Sequence, residues 1–298
     1  MLIVIPTHDA VDLLRRCLDS IRATAGDAAH RIVVIDHRSA DPATRRYLAR
    51  LGDRATVMRC DGPFNYAAMN NLAVRRHAGG ARFVLFLNND TEALHPGWLQ
   101  RLRRLAARPG IGAVGTLLLY ADRRVQHAGV VLGVGGAAGH AFAFDAAYRD
   151  GVRLPGPQGL LTALRDVSAV TAACMMMSVA AFDAVGGFDE RFSVGFNDTD
   201  LCLRLRRRGL RVLYDGQTVL LHHESRTRRQ TGQLLHRADT RRFQRRWRAL
   251  LRAGDPYYSP HLSLIAADWE LREDCAGPGG ARFVRPDGRP ALAPGRCP

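Results

Sequence analysis

The chain of 298 residues contains no lysine, so every one of its 43 basic residues is an arginine. With 28 acidic residues, the formal net charge is +15. A basic balance of this size is compatible with nucleic acid, anionic lipid or a phosphorylated substrate as a partner. An arginine-only composition is also typical of a GC-rich genome, so the charge by itself selects none of these partners.

Cysteine pairs and long apolar runs are missing as well. The six cysteines are scattered without a C-x-x-C pair, which argues against a zinc ribbon or a disulfide framework and favours a reducing compartment. The first apolar run stops at Pro6, far short of the ~20 residues of a membrane-spanning helix, and no basic signal region precedes it. We therefore expect a cytoplasmic protein, and its hydrophobic content of 47% supports a sizeable core.

Short apolar runs alternate with segments of helical periodicity in the first part of the chain. The runs are LIVI (2–5), RIVVID (31–36) and FVLFLN (83–88). This alternation predicts an α/β fold in which helices flank a central, mostly parallel sheet. Ligands of such sheets bind beyond the carboxyl ends of the strands. The segments at those ends are polar and rich in carboxylates: PTHD (6–9), DHRSAD (36–41) and NNDTE (88–92).

The second part of the chain is less regular. Its pattern predicts a strand over 112–120, a glycine-rich connector over 127–144 and an exposed loop over 148–159. A helix is predicted over about 198–208, and two further strands over 211–215 and 218–223. The connector contains GVGGAA (133–138), a relaxed form of the dinucleotide-binding fingerprint. It stands in mid-chain and no helix opens from it, which favours a mobile loop or a close-packed turn over nicotinamide or flavin binding.

Residues 226–252 concentrate the positive charge. Ten arginines stand there against a single acid, Asp239, and Phe243 and Trp247 recur on one side at helical spacing. This segment is either the solvated outer face of a docked helix or a surface for an anionic membrane or ligand. We predict one domain over 1–225, with halves at 1–120 and 121–225, and a basic helix with an irregular extension over 226–298 packed on that domain.

Asp90 has two interpretations. An aspartate after a strand can cap the next helix or close a turn. A carboxylate at the carboxyl end of a strand can also present hard oxygen ligands to Mg²⁺ or Mn²⁺, which in turn binds a diphosphate.

A second acidic segment, FNDTD (196–200), follows an irregular loop. Asn197 or Asp198 could cap the helix that begins there, whereas an acid on such a loop over the crevice of a sheet is well placed to act as a general base. We assign Asp200 to structure, because its charge favours the first turn of the helix. His222 ends another apolar run, where a histidine is either a hydrogen-bonded structural residue or a ligand of a divalent ion.

These motifs in this order resemble the family 2 glycosyltransferases, which have the GT-A fold and move a sugar from a nucleotide-diphosphate donor. VIPTHD resembles their first strand and turn, VVIDHRSAD the second, FNYAAMNNLAV the helix before the metal motif and FLNNDTE the metal motif itself. GGFDERF and FNDTDLCLRLRRRG resemble their acceptor-side segment. The resemblance covers about residues 2 to 225 and, through QHAGVVLG, HHES and DPYYSPHL, extends towards residue 270. It is strongest with the bacterial polysaccharide, O-antigen and rhamnosyl-transfer branch.

The resemblance implies roles for individual residues. Asp198 would be the catalytic base, and Asp90 with His222 would hold the metal. Nucleotide-sugar contacts would come from Pro6, Thr7, Asp36, His37, Asn71, Asn88 and Asn89. The chain departs from the family pattern where Asn197 replaces a usual glutamate, His37 a usual aspartate or asparagine, and Arg38 a common glycine.

We therefore expect an inverting glycosyltransferase that depends on Mg²⁺ or Mn²⁺ and acts on a glycan or lipid-linked glycan in O-antigen-like biosynthesis. It would work in the cytoplasm or on the inner face of the membrane, with an anionic membrane surface bound by 226–252 and no nucleic-acid partner. A sugar-phosphate nucleotidyltransferase is an alternative, although PTHDAVDLL (6–14) lacks the glycine-rich loop of those enzymes. A non-catalytic nucleic-acid or polysaccharide binder and an inactive homologue are the others.

Overall fold

A computed structural model of the chain describes residues 1–223, 233–265 and 269–272. The part of the predicted basic segment at 226–232 and the predicted tail beyond residue 272 lie outside the described residues.

The first part of the chain alternates strands and helices as its periodicity predicts. Its elements are β1 (Leu2–Thr7), α1 (Val11–Thr24), β2 (Arg31–His37), α2 (Pro42–Ala49), β3 (Thr56–Cys60), α3 (Tyr66–His77), β4 (Phe83–Leu87), β5 (Thr91–Ala93) and α4 (Trp98–Ala106). Helix α3 begins after Asn65, whose side chain caps it by accepting a hydrogen bond from Ala68 N.

The second part contains shorter elements. They are β6 (Ile111–Leu119), β7 (Val125–His127), β8 (Val130–Leu132), β9 (Ala138–His140), β10 (Tyr148–Arg149), β11 (Val152–Arg153), β12 (Leu164–Asp166), β13 (Cys174–Ser178), α5 (Val179–Ala184), α6 (Asn197–Arg207), β14 (Arg211–His222), α7 (Gln233–Arg246) and α8 (Arg248–Ala253). The glycine-rich connector forms the hairpin of β8 and β9, and Gly133 adopts a φ of 92° at its turn. The fingerprint therefore lies in a close-packed turn.

One mixed sheet organises the described residues. Its main strands follow the order β12-β14-β6-β13-β4-β1-β2-β3, while β5 pairs with β14 and β7 with β6. Strands β3, β2, β1 and β4 are mutually parallel, β13 runs antiparallel between β4 and β6, and β14 is parallel to β6. Because β13 is antiparallel to both of its neighbours, β4 and β6 point the same way, and β14 points with β6. The carboxyl ends of β1, β2, β4, β6 and β14 therefore lie along one edge, which we call the carboxyl edge.

Both faces of the sheet are covered, which explains the unbroken apolar runs. Val84 and Phe86 of β4 belong to one hydrophobic cluster, whereas Leu85 and Leu87 belong to the cluster on the opposite face. Side chains alternate along a strand, so a run that is apolar at every position is buried on both sides.

The two strands predicted over 211–215 and 218–223 form the single strand β14. Its pairing with β6 shifts in register between Asp215 and Val219. Asp215 is fully buried and accepts two hydrogen bonds from Arg101, at 2.6 and 2.8 Å. A buried acid with a bidentate arginine partner interrupts the apolar run without ending the strand, which is why the sequence suggested a break there.

Helix α7 is docked by its apolar side. Phe243 and Trp247 are buried in a cluster with Leu132, Phe192 and Leu203. The exposed side carries arginines instead, among them Arg237, Arg241, Arg245 and, in α8, Arg248 and Arg252. The domain boundary at residue 225 stays a prediction. No helix in the described part of the chain has the length and apolar character to cross a membrane.

Candidate functional site

Asp90 lies in a tight turn at the carboxyl edge, directly after β4. Asn88 N donates to Ala173 O at 3.0 Å, and the Thr91 hydroxyl donates to Asn88 O at 2.8 Å. These bonds fix the turn, and Asp90 is only 7% exposed. The prediction that strand β4 delivers this carboxylate to the edge of the sheet is met.

His222, the last residue of β14, faces Asp90. Its Nε2 lies 3.0 Å from Asp90 Oδ1, and its Nδ1 contacts Gln126 Oε1. An amide oxygen only accepts hydrogen bonds, so Nδ1 of His222 carries the proton of the neutral ring. Nε2 then presents a lone pair, which accepts from Asn88 Nδ2 at 3.2 Å. A carboxylate oxygen and an imidazole nitrogen at this distance can bind one cation together.

Gln126 had no predicted role. It is the first residue of the motif QHAGVVLG, and that motif is the only sequence signal for it. No local pattern predicts its contact with His222, which is 96 residues away in the chain. In the fold, β7 carries Gln126 beside the end of β14 because both strands pair with β6.

Two ligands for a divalent ion are available here. Adjacent ligands around an octahedral ion with bonds of about 2.1 Å are about 3 Å apart, which fits the 3.0 Å between Asp90 Oδ1 and His222 Nε2. Among the described residues, no group of three or more His, Cys, Asp or Glu side chains is arranged to hold a metal. Asn88 and Asn89 are neutral, and the remaining ligands of an ion would come from a bound anion and water.

Asp198 lies in the first turn of α6 and is half-buried. Its Oδ2 accepts from Ala172 N at 3.1 Å, and its Oδ1 accepts from Thr199 N at 2.7 Å. Ala172 precedes Ala173, whose carbonyl binds Asn88. One dipeptide therefore connects the turn of Asp90 to Asp198.

Neither Asn197 nor Asp198 caps helix α6. The residue before the helix is Phe196, which has a φ of 60° and makes no side-chain capping bond. The capping interpretation of the acid is therefore wrong, and the Asp198 carboxylate is held by backbone donors at the edge of the crevice instead.

The loop before Asp198 is held by helix α7. Asp239 is the single acid of the basic segment 226–252, and it is 1% exposed. Its Oδ2 accepts hydrogen bonds from Val194 N at 2.9 Å and Gly195 N at 3.0 Å. Phe243 stacks on Phe196 with ring centroids 4.7 Å apart. The basic helix thus serves as a support for the acidic segment.

Asp200 has the structural contacts expected of it. It is fully buried, and it accepts from Arg204 Nε at 2.7 Å and from Trp247 Nε1 at 3.0 Å. The acid therefore joins the first turn of α6 to Trp247, the residue between α7 and α8.

The first two strands contribute polar groups farther along the carboxyl edge. Thr7 accepts a hydrogen bond from Asn89 Nδ2 at 2.9 Å, which ties the end of β1 to the turn of Asp90. Pro6 pairs with Ile35 in the register of β1 and β2. These contacts bring the predicted residues of both strands to one side of the turn.

Asp36 and His37 end β2. Asp36 is buried and accepts from Ser39 N at 3.0 Å, and Arg59 lies 3.6 Å from it. His37 Nε2 donates to Gly62 O at 2.9 Å, and its ring meets the exposed ring of Phe64 edge-on at 5.4 Å. His37 and the exposed Phe64 therefore form an aromatic contact at the carboxyl end of β2.

Asn71 is used inside the fold. Its amide donates to Phe188 O and accepts from Phe188 N, both at 2.9 Å. Gly187 stands next to it with a φ of 69°, and a Cβ there would lie 2.6 Å from Asn71 Oδ1. Asn71 therefore fixes the glycine turn that leads towards α6, and its predicted contact with a nucleotide sugar stays a prediction.

His127 is a second buried histidine beside this site. Its Nε2 accepts from Gly129 N at 3.3 Å and from Thr171 N at 3.4 Å. Burial, followed by the proximity of the basic side chains of His140, Arg165 and His222, holds the pKa of His127 well below its usual value. The ring is therefore neutral, and it anchors the segment that leads to Ala172.

Comparison with known proteins gives three results. The model of the family described as "Glycosyltransferase like family 2" matches residues 1–248. The O-antigen biosynthesis protein RfbC of Myxococcus xanthus is 41% identical over 277 residues, which make up 91% of this chain and 21% of that protein. The N-acetylglucosaminyl-diphospho-decaprenol L-rhamnosyltransferase of Mycobacterium tuberculosis is 29% identical over 153 residues, 48% of this chain and 47% of that protein. The chain thus spans a fifth to a half of the length of these relatives.

A solved structure shares the architecture. The structure of GalNAc-T7 with UDP, GalNAc and Mn²⁺ has a TM-score of 0.63 and 13% identity, and the likeness covers 84% of this chain and 49% of that one. It confirms the predicted GT-A fold. The family match agrees with the motifs of the chain and not with the nucleotidyltransferase alternative.

The buried neutral His127 predicts a pH dependence of stability. Its pKa is lower in the folded than in the unfolded protein, so the unfolded chain binds the extra proton first as the pH falls below about 6.5. We expect this residue to lower the free energy of unfolding by up to about 1.4 kcal/mol per pH unit below that value. Urea denaturation between pH 7.5 and pH 5 measures it.

Two variants separate this contribution from those of the other histidines. His127→Gln keeps an acceptor near the position of Nε2 and should flatten the slope between pH 6.5 and pH 5. His95→Gln, at an exposed position, should leave the slope unchanged. Equal slopes for wild type and His127→Gln would contradict the assignment.

Proposed function

The chain belongs to glycosyltransferase family 2, and from that premise we propose that it transfers a sugar from a nucleotide-diphosphate donor to a hydroxyl of a glycan acceptor, inverting the anomeric carbon. The observation that carries the proposal is the junction of two motifs more than a hundred residues apart. Ala172 N donates to Asp198 and Ala173 O accepts from Asn88 N, so one dipeptide joins the acid to the turn that carries Asp90. A base and a diphosphate-binding site must adjoin in such a reaction.

Asp90 and His222 are the residues that would hold Mg²⁺ or Mn²⁺. When bound, such an ion supplies the positive charge that the departing diphosphate needs. Gln126 keeps the proton on Nδ1 of His222 and so leaves Nε2 as a ligand. GalNAc-T7, which shares the fold, was solved with Mn²⁺, and this supports a divalent ion without identifying it here.

Asp198 acts as the general base in this proposal. It removes the proton of the acceptor hydroxyl while the hydroxyl oxygen attacks the anomeric carbon from the face opposite the diphosphate. The bond from that carbon to the diphosphate oxygen breaks, and the nucleoside diphosphate leaves with the electron pair. The backbone donors Ala172 N and Thr199 N hold the carboxylate in place, and such bases contribute roughly 10²- to 10⁴-fold in rate.

The donor nucleotide is proposed to lie along β1 and β2. Pro6 and Thr7 end the first strand, and Asp36 and His37 end the second, all at the carboxyl edge. Asn89, which bonds Thr7, lies between these groups and Asp90. In this arrangement the diphosphate reaches Asp90 and the base reaches the ring of His37.

The acceptor is proposed to be a growing surface polysaccharide of the O-antigen type, on the cytoplasmic side of the membrane. The 41% identity to the O-antigen biosynthesis protein RfbC over most of this chain supports that class of product. The exposed arginines of α7 and α8 support contact with anionic lipid, whereas Arg242 and Arg246 turn inwards to Asp239 and Asp189. An interfacial helix of this type is attracted by anionic headgroups.

Replacing the base with its amide tests the chemical step. Asp198→Asn should reduce transfer roughly 10²- to 10⁴-fold because an amide cannot take the proton. The rate is measured as nucleoside diphosphate released from UDP-, GDP- and dTDP-sugars with octyl glycosides as acceptors. Asp183→Asn, on an exposed part of α5, is the matched control and should be active. Transfer by Asp198→Asn at the wild-type rate would remove Asp198 from the mechanism.

A second prediction concerns the metal. Mn²⁺ with UDP, GDP or dTDP should raise the melting temperature, since a ligand that binds only the native state stabilises it by RT ln(1 + [L]/Kd). Asp90→Asn should abolish the Mn²⁺-dependent part, and Gln126→Leu should weaken Mn²⁺ binding roughly 10- to 100-fold. Isothermal titration with Mn²⁺ and nucleotide measures the affinity.

Gln217→Leu is the control for Gln126, since Gln217 lies on the exposed side of β14. It should bind Mn²⁺ as the wild type does. Full activity in EDTA, or wild-type Mn²⁺ affinity in Asp90→Asn, would exclude the proposed site.

Vesicle flotation tests the arginine surface. The protein should float with vesicles that contain phosphatidylglycerol and not with phosphatidylcholine alone. Each arginine near an anionic surface contributes about 1 kcal/mol, so replacing Arg241, Arg245 and Arg248 with Gln should weaken binding roughly 100-fold. The triple variant of Arg103, Arg104 and Arg108, exposed at the end of α4 and after it, is the control. Unchanged flotation of the first variant would leave these arginines as a solvated face.

A further inference from the structure

An exposed aromatic surface lies beside the proposed site and has no part in the chemistry above. Tyr120 and Phe144 are stacked with their ring centroids 5.1 Å apart and their planes at 14°. The guanidinium of Arg124 is 5.7 Å from the centre of the Phe144 ring. Phe144 is 58% exposed. We call Tyr120, Arg124 and Phe144 the aromatic platform.

The platform stands at the carboxyl edge. Tyr120 follows Leu119, which pairs with Leu221, the residue before His222. Arg124 O accepts a hydrogen bond from Tyr120 N at 2.8 Å, and Arg124 lies two residues before Gln126 in the chain. Since Gln126 contacts His222, the platform adjoins the strand ends that carry these two residues.

The position of the platform along the carboxyl edge indicates whether it would contact the donor or the acceptor. The sheet order is β14-β6-β13-β4-β1-β2, so β6 with Tyr120 lies on one side of β4 and its Asp90. The nucleotide residues proposed above, at the ends of β1 and β2, lie on the other side. The platform is therefore on the side of the reacting centre that the donor does not occupy.

The backbone at Phe144 gives a separate argument. Its φ is 71°, a region that glycine occupies without a steric penalty and phenylalanine does not. The conformation is held by hydrogen bonds of Phe144 N to Val125 O at 2.7 Å and of Val125 N to Asp145 O at 2.8 Å. Phe142 is strained in the same way, but it is fully buried and stacks on Trp269, so packing accounts for it. Packing in the core does not account for Phe144, and strained exposed residues are often found where ligands bind.

We propose that the aromatic platform is an acceptor subsite that stacks a sugar ring of the glycan next to the sugar that receives the transfer. This inference rests on the proposed function. A pyranose ring has a face of C–H groups that packs on aromatic rings, whose faces carry partial negative charge. Its rim carries hydroxyls, and Arg124 with its partner Asp122, 2.7 Å away, offers donors and acceptors to that rim. Binding sites of this type combine aromatic surface with a few polar groups.

The test compares acceptors of different length. The probes are mono- and disaccharide octyl glycosides of rhamnose, mannose and N-acetylglucosamine, studied by saturation-transfer NMR with UDP, GDP or dTDP and Mn²⁺, and by transfer kinetics. Phe144→Ala should raise the Kd and KM for disaccharide glycosides roughly 3- to 10-fold and leave the monosaccharide values unchanged. The KM for the donor and the rate of donor hydrolysis by water should not change. Phe144→Trp, which keeps a stacking ring, should restore the affinity.

A glycine variant separates binding from folding. Phe144→Gly should lose the disaccharide preference in the same way while its melting temperature stays equal to or above that of the wild type, because glycine accepts the positive φ. Val57→Ala is the control: Val57 is a 38% exposed apolar residue on β3, at the opposite end of the sheet, and its removal should affect neither acceptor.

Several results would overturn the inference. They are an unchanged disaccharide KM in Phe144→Ala, a raised KM for the donor in that variant, a melting temperature of Phe144→Gly well below the wild type, or no NMR signal from any disaccharide with the wild type. If nucleotides with Mn²⁺ do bind and transfer does occur, each of these results rejects the subsite alone. If neither nucleotide binding nor transfer is observed in the wild type, the proposed function fails, and the subsite fails with it.

Discussion

The contact between Asp90 and His222 links the fold of this protein to the chemistry proposed for it. A carboxylate oxygen and an imidazole nitrogen lie 3.0 Å apart in a place that water hardly reaches, and Gln126 keeps the proton on the far side of the ring. In such surroundings both attractive and repulsive electrostatic interactions are stronger than in water. A cation bound between the two atoms would interact with both of them, so the pair is a suitable ligand set for a cation.

The sheet brings these two residues together by an indirect route. Strand β5 follows the turn of Asp90 and pairs with β14, so that Thr91 is opposite His222. His223 N also donates to Asp90 O at 2.8 Å. The antiparallel β13 makes this possible, because it separates β4 from β6 and yet leaves both pointing to the same edge. The turn after β4 leads past β13 and β6 to β14, and Asp90 meets His222 there.

The sequence carried the information on which residues end strands, and that was enough to place Asp90, Asp36 and His222 at the carboxyl edge. It could not indicate side-chain partners that are distant in the chain. Gln126 looks like any polar residue before a glycine-rich segment, and only the common pairing of β7 and β14 with β6 brings it to His222. Asp239 looked like the single exception in a basic helix, whereas it is the buried acceptor for the loop before Asp198.

Similar reasons explain the strand that was predicted as two. Asp215 is an acid in an apolar run, and the arginine that satisfies it comes from α4, 114 residues earlier. The amide of Asn71 is likewise occupied by a loop 117 residues later, which no local pattern reveals. Local periodicity reports which face of an element is buried, but the partner of a buried polar group is chosen by the tertiary fold.

The neutral residues around Asp90 have a consequence for how the proposed ion and donor bind. One carboxylate and one neutral imidazole offset only half of the charge of a divalent ion, and Asn88 and Asn89 add none. A diphosphate supplies the missing negative charge and oxygen ligands, so each of the two binds more tightly when the other is present, and by the same factor. Because Asn89 also bonds Thr7 at the end of β1, the turn that presents Asp90 is tied to the strand along which the donor is proposed to lie. In the proposed reaction, ion and donor would therefore bind as one cooperative ligand, without a third acidic ligand from the protein.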